Sequence, residues 1–331
     1  MKTLSLLALL LPSLAASQVS DALASHWTYD KNAPLNLHQI SEQARDGVRI
    51  VDITYSSPVA DRGQAVGPNG GVVAAYLVRP SGTGRFPAVI YGHWCMPGSE
   101  KKSRTEFLEE AIVLARSGVI SLLPDHVTVR PGFVENETPM NDAQIEVAVQ
   151  QVVNLRRGLD LLVSRPDVDP GRLAYVGHSC DAASGGFLSG LERRFKALVL
   201  MAGALSDEAD SKTKAFQDYR QEVGAERFDA FLAKYSWTDV GKYTSKAAPQ
   251  FLFLQFAGDE PYMTADLEME YVAIASEPKK YKIYQAQHAL NAEATRDRIA
   301  FLSEQLSFKK PDARAVDAIP ALVQPPWPKA N

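Results

Sequence analysis

Between residues 88 and 306 the chain alternates short apolar runs with stretches of helical period, and that rhythm admits few folds. The runs 88–91, 119–123, 173–176, 197–201, 251–256 and 281–284 have strand length and composition. The stretches between them read as helices. Residues 105–117 put Phe107, Leu108, Ala111, Ile112 and Leu114 on one face, and Gly118 stops the turn. Residues 142–164 repeat Ile145, Ala148, Val149, Val152, Leu155, Leu159 and Leu162 at helical spacing, with Asn141 able to cap them. Further helices are predicted at 181–191, 264–275 and 292–306. Parallel strands need crossovers of this length, so the fold class is α/β, a mostly parallel central sheet flanked by helices on both faces. Residues 48–55 and 71–78 add an opening strand pair, with Gly67-Pro68-Asn69-Gly70 turning into the second.

Two stretches break the rhythm. Residues 206–248 are polar and helical, with Phe216, Tyr219, Phe228, Phe231, Tyr235 and Trp237 scattered through them. Their length fits either a small helical cap inserted between two strands or a peripheral helix on the sheet edge. Residues 311–331 carry Pro320, Pro325, Pro326 and Pro328, and read as a surface or loose tail. The start has a third character. Lys2, an apolar run to Leu14, and the small residues Ala15-Ala16-Ser17 have the order of an export signal over 1–17, with cleavage expected before Gln18. The domain proper is then 18–310, in a periplasmic or extracellular setting. The apolar run is too short to span a bilayer. A net charge of −4 gives no reason to expect nucleic acid or an anionic membrane as partner. The only cysteines, Cys95 and Cys180, could pair in an oxidising compartment. No ligand spacing suggests zinc and no glycine-rich phosphate loop occurs, so no cofactor is expected.

The chemistry concentrates where residues 173–176 run into Gly177-His178-Ser179-Cys180-Asp181-Ala182 and then a helix. A serine on so tight a strand-to-helix turn is held clear of the sheet. The amide of Cys180 points to where an oxyanion would form, and the helix N-terminus adds positive potential.

With this elbow the chain resembles the α/β-hydrolase superfamily, in particular its dienelactone-hydrolase-like and acetyl-xylan-esterase-like serine hydrolases. The resemblance runs from about Tyr29 to Leu306. It is also carried by Phe86-Pro87-Ala88-Val89-Ile90-Tyr91-Gly92-His93, by Gln255-Phe256-Ala257-Gly258-Asp259-Glu260-Pro261-Tyr262, and by Gln287-His288-Ala289-Leu290. It implies ester hydrolysis without a cofactor, through an acyl-enzyme, by a triad in the order serine, acid, histidine. Ser179 is then the nucleophile. Of six histidines only His288 lies beyond it, which makes His288 the general base. The acid should follow the run 251–256. Asp259 has the usual residue type, whereas Glu260 has the family's spacing, and both stay open. The second oxyanion donor should come from the loop after 88–91, with the backbone amide of Trp94 first and that of Cys95 second. The Trp94 ring could also wall an acyl pocket.

Two consequences follow from the resemblance. Asp181 stands where the family has glycine, and an ionised carboxylate roughly 6 Å from the oxyanion would cost about 3 kcal/mol, or about a hundredfold in rate. The family's geometry also brings Cys95 and Cys180 to one spot, where they either form a disulfide clamping both oxyanion donors or stay as buried thiols. The expected substrate is a small-molecule or polysaccharide-linked ester. A peptidase of the prolyl-oligopeptidase-related group, or a non-catalytic binding protein, are the alternatives.

Overall fold

The computed structural model describes residues 18–59, 71–95, 103–131, 133, 136, 138–260 and 263–322. The expected export signal, the turn at 67–70 and the end of the tail lie outside these. The strands are β1 (His38–Arg45), β2 (Val48–Ser56), β3 (Val72–Pro80), β4 (Phe86–Gly92), β5 (Ile120–Pro124), β6 (Val168–His178), β7 (Ala197–Met201), β8 (Phe251–Ala257) and β9 (Lys279–Tyr284). The α-helices are α1 (Asp21–Ser25), α2 (Leu108–Arg116), α3 (Asp142–Ser164), α4 (Cys180–Leu191), α5 (Asp207–Asp210), α6 (Lys214–Val223), α7 (Ala225–Lys234), α8 (Gly241–Thr244), α9 (Ala265–Ile274), α10 (Ala292–Leu306) and α11 (Ala313–Asp317).

All nine strands join one sheet in the order β1-β2-β3-β5-β4-β6-β7-β8-β9. β1, β2 and β3 pair antiparallel, as do β3 and β5. From β5 to β9 every pairing is parallel. The physical reason is visible in the burial. β5 and β7 are buried at every position, because helices cover both faces. One apolar layer packs Val152, Leu155 and Leu159 of α3, Leu188 of α4 and Tyr271 of α9 against one face. The other packs Ala111 and Leu114 of α2 and Ile299 and Leu302 of α10 against the opposite face. Asn141 caps α3 through a reciprocal box with Gln144.

β1 escapes an apolar-pattern reading because nearly every one of its residues is exposed. It is a polar edge strand whose one strand partner is β2, with Arg45 also reaching Glu109 of α2. α11 buries Val316 against the α2–α10 layer. Residues 206–248 form α5 to α8 between β7 and β8, and α8 packs closely on α4. Among the described residues no helix is long and apolar enough to cross a membrane.

A buried polar network ties the ends of the central strands together. Arg298 of α10 donates to Glu110 Oε2 of α2 at 2.5 Å and to Gln255 Oε1 of β8 at 3.2 Å, and the Tyr91 hydroxyl of β4 donates to Glu110 Oε1 at 3.0 Å.

Candidate active site

In a parallel sheet the loops at the carboxyl ends of the strands converge, and four of them meet here: those after β4, β6, β8 and β9. The loop after β6 is the tightest. Ser179 has φ 60° and ψ −122°, a conformation costing a non-glycine residue about 1–3 kcal/mol. Three contacts hold it there. The Ser179 amide donates to Met201 O at 2.8 Å, the Ser179 carbonyl accepts from Ala182 N at 2.8 Å, and Gly203 lies so close that an added Cβ would come within 2.6 Å of Ser179 O. Gly177 is needed for the same reason, since a Cβ there would meet the Asp181 carbonyl at 2.1 Å. Cys180 opens α4, so its N–H belongs to the first turn, whose amides lack intrahelical acceptors.

Of the two carboxylates after β8, the structure brings one to His288. His288 Nδ1 donates to Glu260 Oε1 at 2.8 Å, and both side chains are buried. Asp259 is exposed. A carboxylate can only accept, so the contact places the proton on Nδ1 and makes Nε2 the basic nitrogen. Burial, reinforced by the charge of neighbouring His178, holds the His288 pKa below its ordinary value, against the opposing pull of Glu260. The His288 carbonyl lies 2.9 Å from His178 Nε2, which sets the histidine loop directly against the residue before Ser179.

The loop after β4 corrects one expectation. The amide of Trp94 donates to Glu106 Oε2 at 3.0 Å, so this first candidate for the oxyanion hole is already engaged. The Trp94 ring is buried rather than walling an open pocket. That leaves the amides of Cys95 and Cys180 as candidates. Their side chains are joined in a disulfide, Cα to Cα 6.0 Å, across a sequence separation of 85. The His126 ring approaches the same sulfurs, with ligand atoms within 4.8 Å of one another, but bonded sulfurs offer a metal no thiolate.

Asp181 corrects another. Its carboxyl is fully buried beside Gly92 and receives Gln151 Nε2 on Oδ1 at 3.0 Å and on Oδ2 at 3.1 Å. Burial pushes its pKa up to about 7, against the lowering effect of the Gln151 and Ser184 hydrogen bonds. The acid is therefore partly neutral near neutrality, and the charge penalty applies only to its ionised fraction. The folded chain holds a proton that the unfolded chain releases at a lower pH. The resulting stability is full below the ordinary carboxylate range and is lost as pH rises through about 7. Asp181→Asn stays neutral throughout, so its melting temperature relative to wild type should rise between about pH 5 and pH 8. A difference that does not change with pH in thermal melts would refute this.

The sequence reading missed Glu106 and Gln151. Glu106 lies in the turn before α2 ahead of Glu109 and Glu110, and Gln151 sits beside Gln150 and one turn from Asn154 on α3, so residue type singles out neither until the fold supplies their partners.

The chain matches no protein-family model, and no curated protein matches it. Its structure, however, superposes on solved structures over most of its length. Acetyl xylan esterase 1 from Thermoanaerobacterium sp. JW/SL YS485 is similar at TM-score 0.65 and 14% identity, covering 87% of this chain and 95% of that one. The acetyl xylan esterase from Paenibacillus sp. R4 gives TM-score 0.65 and 16% identity, over 86% and 92%. The chain has the α/β-hydrolase fold. A glucuronoyl esterase from Solibacter usitatus shares it at TM-score 0.59 and 14% identity, over 86% and 91%. At such identities the likeness speaks for the fold, and the chemistry of this α/β-hydrolase-fold chain has to be argued from its own residues.

Proposed function

We propose that the chain is an exported serine hydrolase of carboxylic esters, with Ser179 as nucleophile, His288 as general base and Glu260 as the acid that orients it. The observation that carries this is the His288 Nδ1 to Glu260 contact at 2.8 Å, in a loop held against the strained Ser179 elbow. In this reading Nε2 of His288 takes the Ser179 proton as Oγ attacks the ester carbonyl. The oxyanion is met by the amides of Cys180 and Cys95. The carbonyl re-forms, the alcohol leaves with the proton from His288, and water activated by the same imidazole releases the acid. The disulfide holds the two amide donors in fixed register, the kind of preorganisation that oxyanion stabilisation requires.

The similar acetyl xylan and glucuronoyl esterases support ester bonds, whether small-molecule or polysaccharide-linked, as the substrate class. The N-terminal pattern of residues 1–17 and the disulfide support export. The non-catalytic alternative draws on the Asp181 charge beside the oxyanion, and burial on Gln151, which keeps that acid partly neutral, weakens it.

A fluorophosphonate probe should label the wild-type protein at Ser179, because only an activated serine reacts. A panel of p-nitrophenyl esters, acetylated oligosaccharides and peptide amides should then show turnover of esters and none of peptides. An unlabelled, natively folded protein would sink the serine-hydrolase reading, and turnover confined to peptides would move it to the peptidase class.

A further inference from the structure

His178 and Glu106 form a second histidine–carboxylate pair beside the first, and the proposed reaction does not use it. His178 Nδ1 lies 2.5 Å from Glu106 Oε1, with the histidine side chain 0% and the glutamate side chain 3% exposed. The second Glu106 oxygen accepts the Trp94 amide at 3.0 Å. The second His178 nitrogen faces the His288 carbonyl at 2.9 Å. A carbonyl oxygen cannot donate, so Nε2 must carry a proton. The other ring nitrogen faces a carboxylate, and imidazole is the stronger base of the two, so it holds a proton as well. His178 is thus an imidazolium whose two donors both have acceptors. Burial works against this charge, but the Glu106 carboxylate and the His288 carbonyl outweigh it and raise the pKa. Other titratable groups bearing on the pair are Arg298 of α10, the buried Asp181 carboxyl that interacts with Glu106, and the His288 ring, whose centroid lies 5.0 Å from that of His178.

These contacts join three separate segments. Glu106 reaches the loop after β4 through the Trp94 amide, next to the proposed donor Cys95. His178 is covalently next to Ser179. The His288 carbonyl belongs to the proposed base. We propose that Glu106 and His178 are positioning residues that hold the oxyanion loop, the nucleophile and the base in one register. The inference rests on the serine-hydrolase reading above. It ranks geometry over charge, and that ranking can be tested. A glutamine at 106 can still accept the Trp94 amide with its carbonyl and donate to a neutral His178 with its amide nitrogen. Nε2–H then still points at the His288 carbonyl. The charge is lost and the register is kept.

Glu106→Ala should therefore lower kcat by about 100-fold with KM little changed, whereas Glu106→Gln should stay within about fivefold of wild type. Fluorophosphonate labelling rates should fall in parallel with kcat, with folding checked by circular dichroism. A folded Glu106→Ala variant with wild-type kcat would overturn the proposal. So would a Glu106→Gln variant as impaired as Glu106→Ala, because charge would then be the active ingredient. Should Glu106→Ala not fold, Glu106→Asp decides, since its shorter side chain cannot reach both the Trp94 amide and His178: a kcat loss on the order of 100-fold supports the proposal, and wild-type kcat overturns it. Wild-type protein that resists the fluorophosphonate would instead indict the serine-hydrolase reading itself.

Discussion

Ser179→Ala and His288→Ala are each expected to reduce hydrolysis of a short p-nitrophenyl ester by roughly 10⁴- to 10⁶-fold while leaving the fold intact. The effect is large because the two residues act as one unit. The hydroxyl is a weak nucleophile until a base removes its proton, and an imidazole without a nucleophile beside it has nothing to activate. Little folding free energy should be lost with Ser179, whose conformation is held by backbone bonds that alanine also makes, such as the amide to Met201 O at 2.8 Å. The pH profile adds a signed expectation. His288 must be neutral to accept the proton, and its pKa lies below the ordinary 6.5. Activity should thus persist below pH 6.5 and be lost as pH falls through the lowered value. Substantial residual activity in either purified variant would remove that residue from the mechanism.

The second large effect separates two adjacent carboxylates. Glu260→Gln should cost on the order of 10⁴-fold in kcat, since an amide nitrogen presented to Nδ1 forces the tautomer in which Nε2 already bears a proton. Asp259→Asn should change little, because Asp259 is exposed and only Glu260 reaches His288. Steady-state kinetics on both variants settle the ranking. A greater loss in Asp259→Asn would reverse the assignment, and small losses in both would mean that neither residue is the acid.

What could be read in the residue order was whatever depends on local period and local turn chemistry. Residues 142–164, 197–201 and 292–306 carry apolar spacings strong enough that the observed elements have the same bounds. The elbow at Gly177–Asp181 was legible because its glycine, its serine and the flanking strand and helix are contiguous. β1 was not, since a polar edge strand is chosen by its partner's free backbone groups rather than by its own side chains.

The site divides in the same way. The strand-elbow-helix context singled out Ser179, chain order singled out His288, and spacing favoured Glu260 slightly over Asp259. Only the tertiary structure decided which carboxylate faces the imidazole, because consecutive side chains leave the backbone in different directions and the β8 loop had to be placed first. Only the fold turned Asp181 into a buried, Gln151-bound acid, engaged the Trp94 amide with Glu106, and closed Cys95 onto Cys180 over a separation of 85 residues. Each of these is a contact between residues 12 or more positions apart in the chain. Nothing in the local sequence encodes such a contact, whereas the packing of helices on both faces of one sheet determines it.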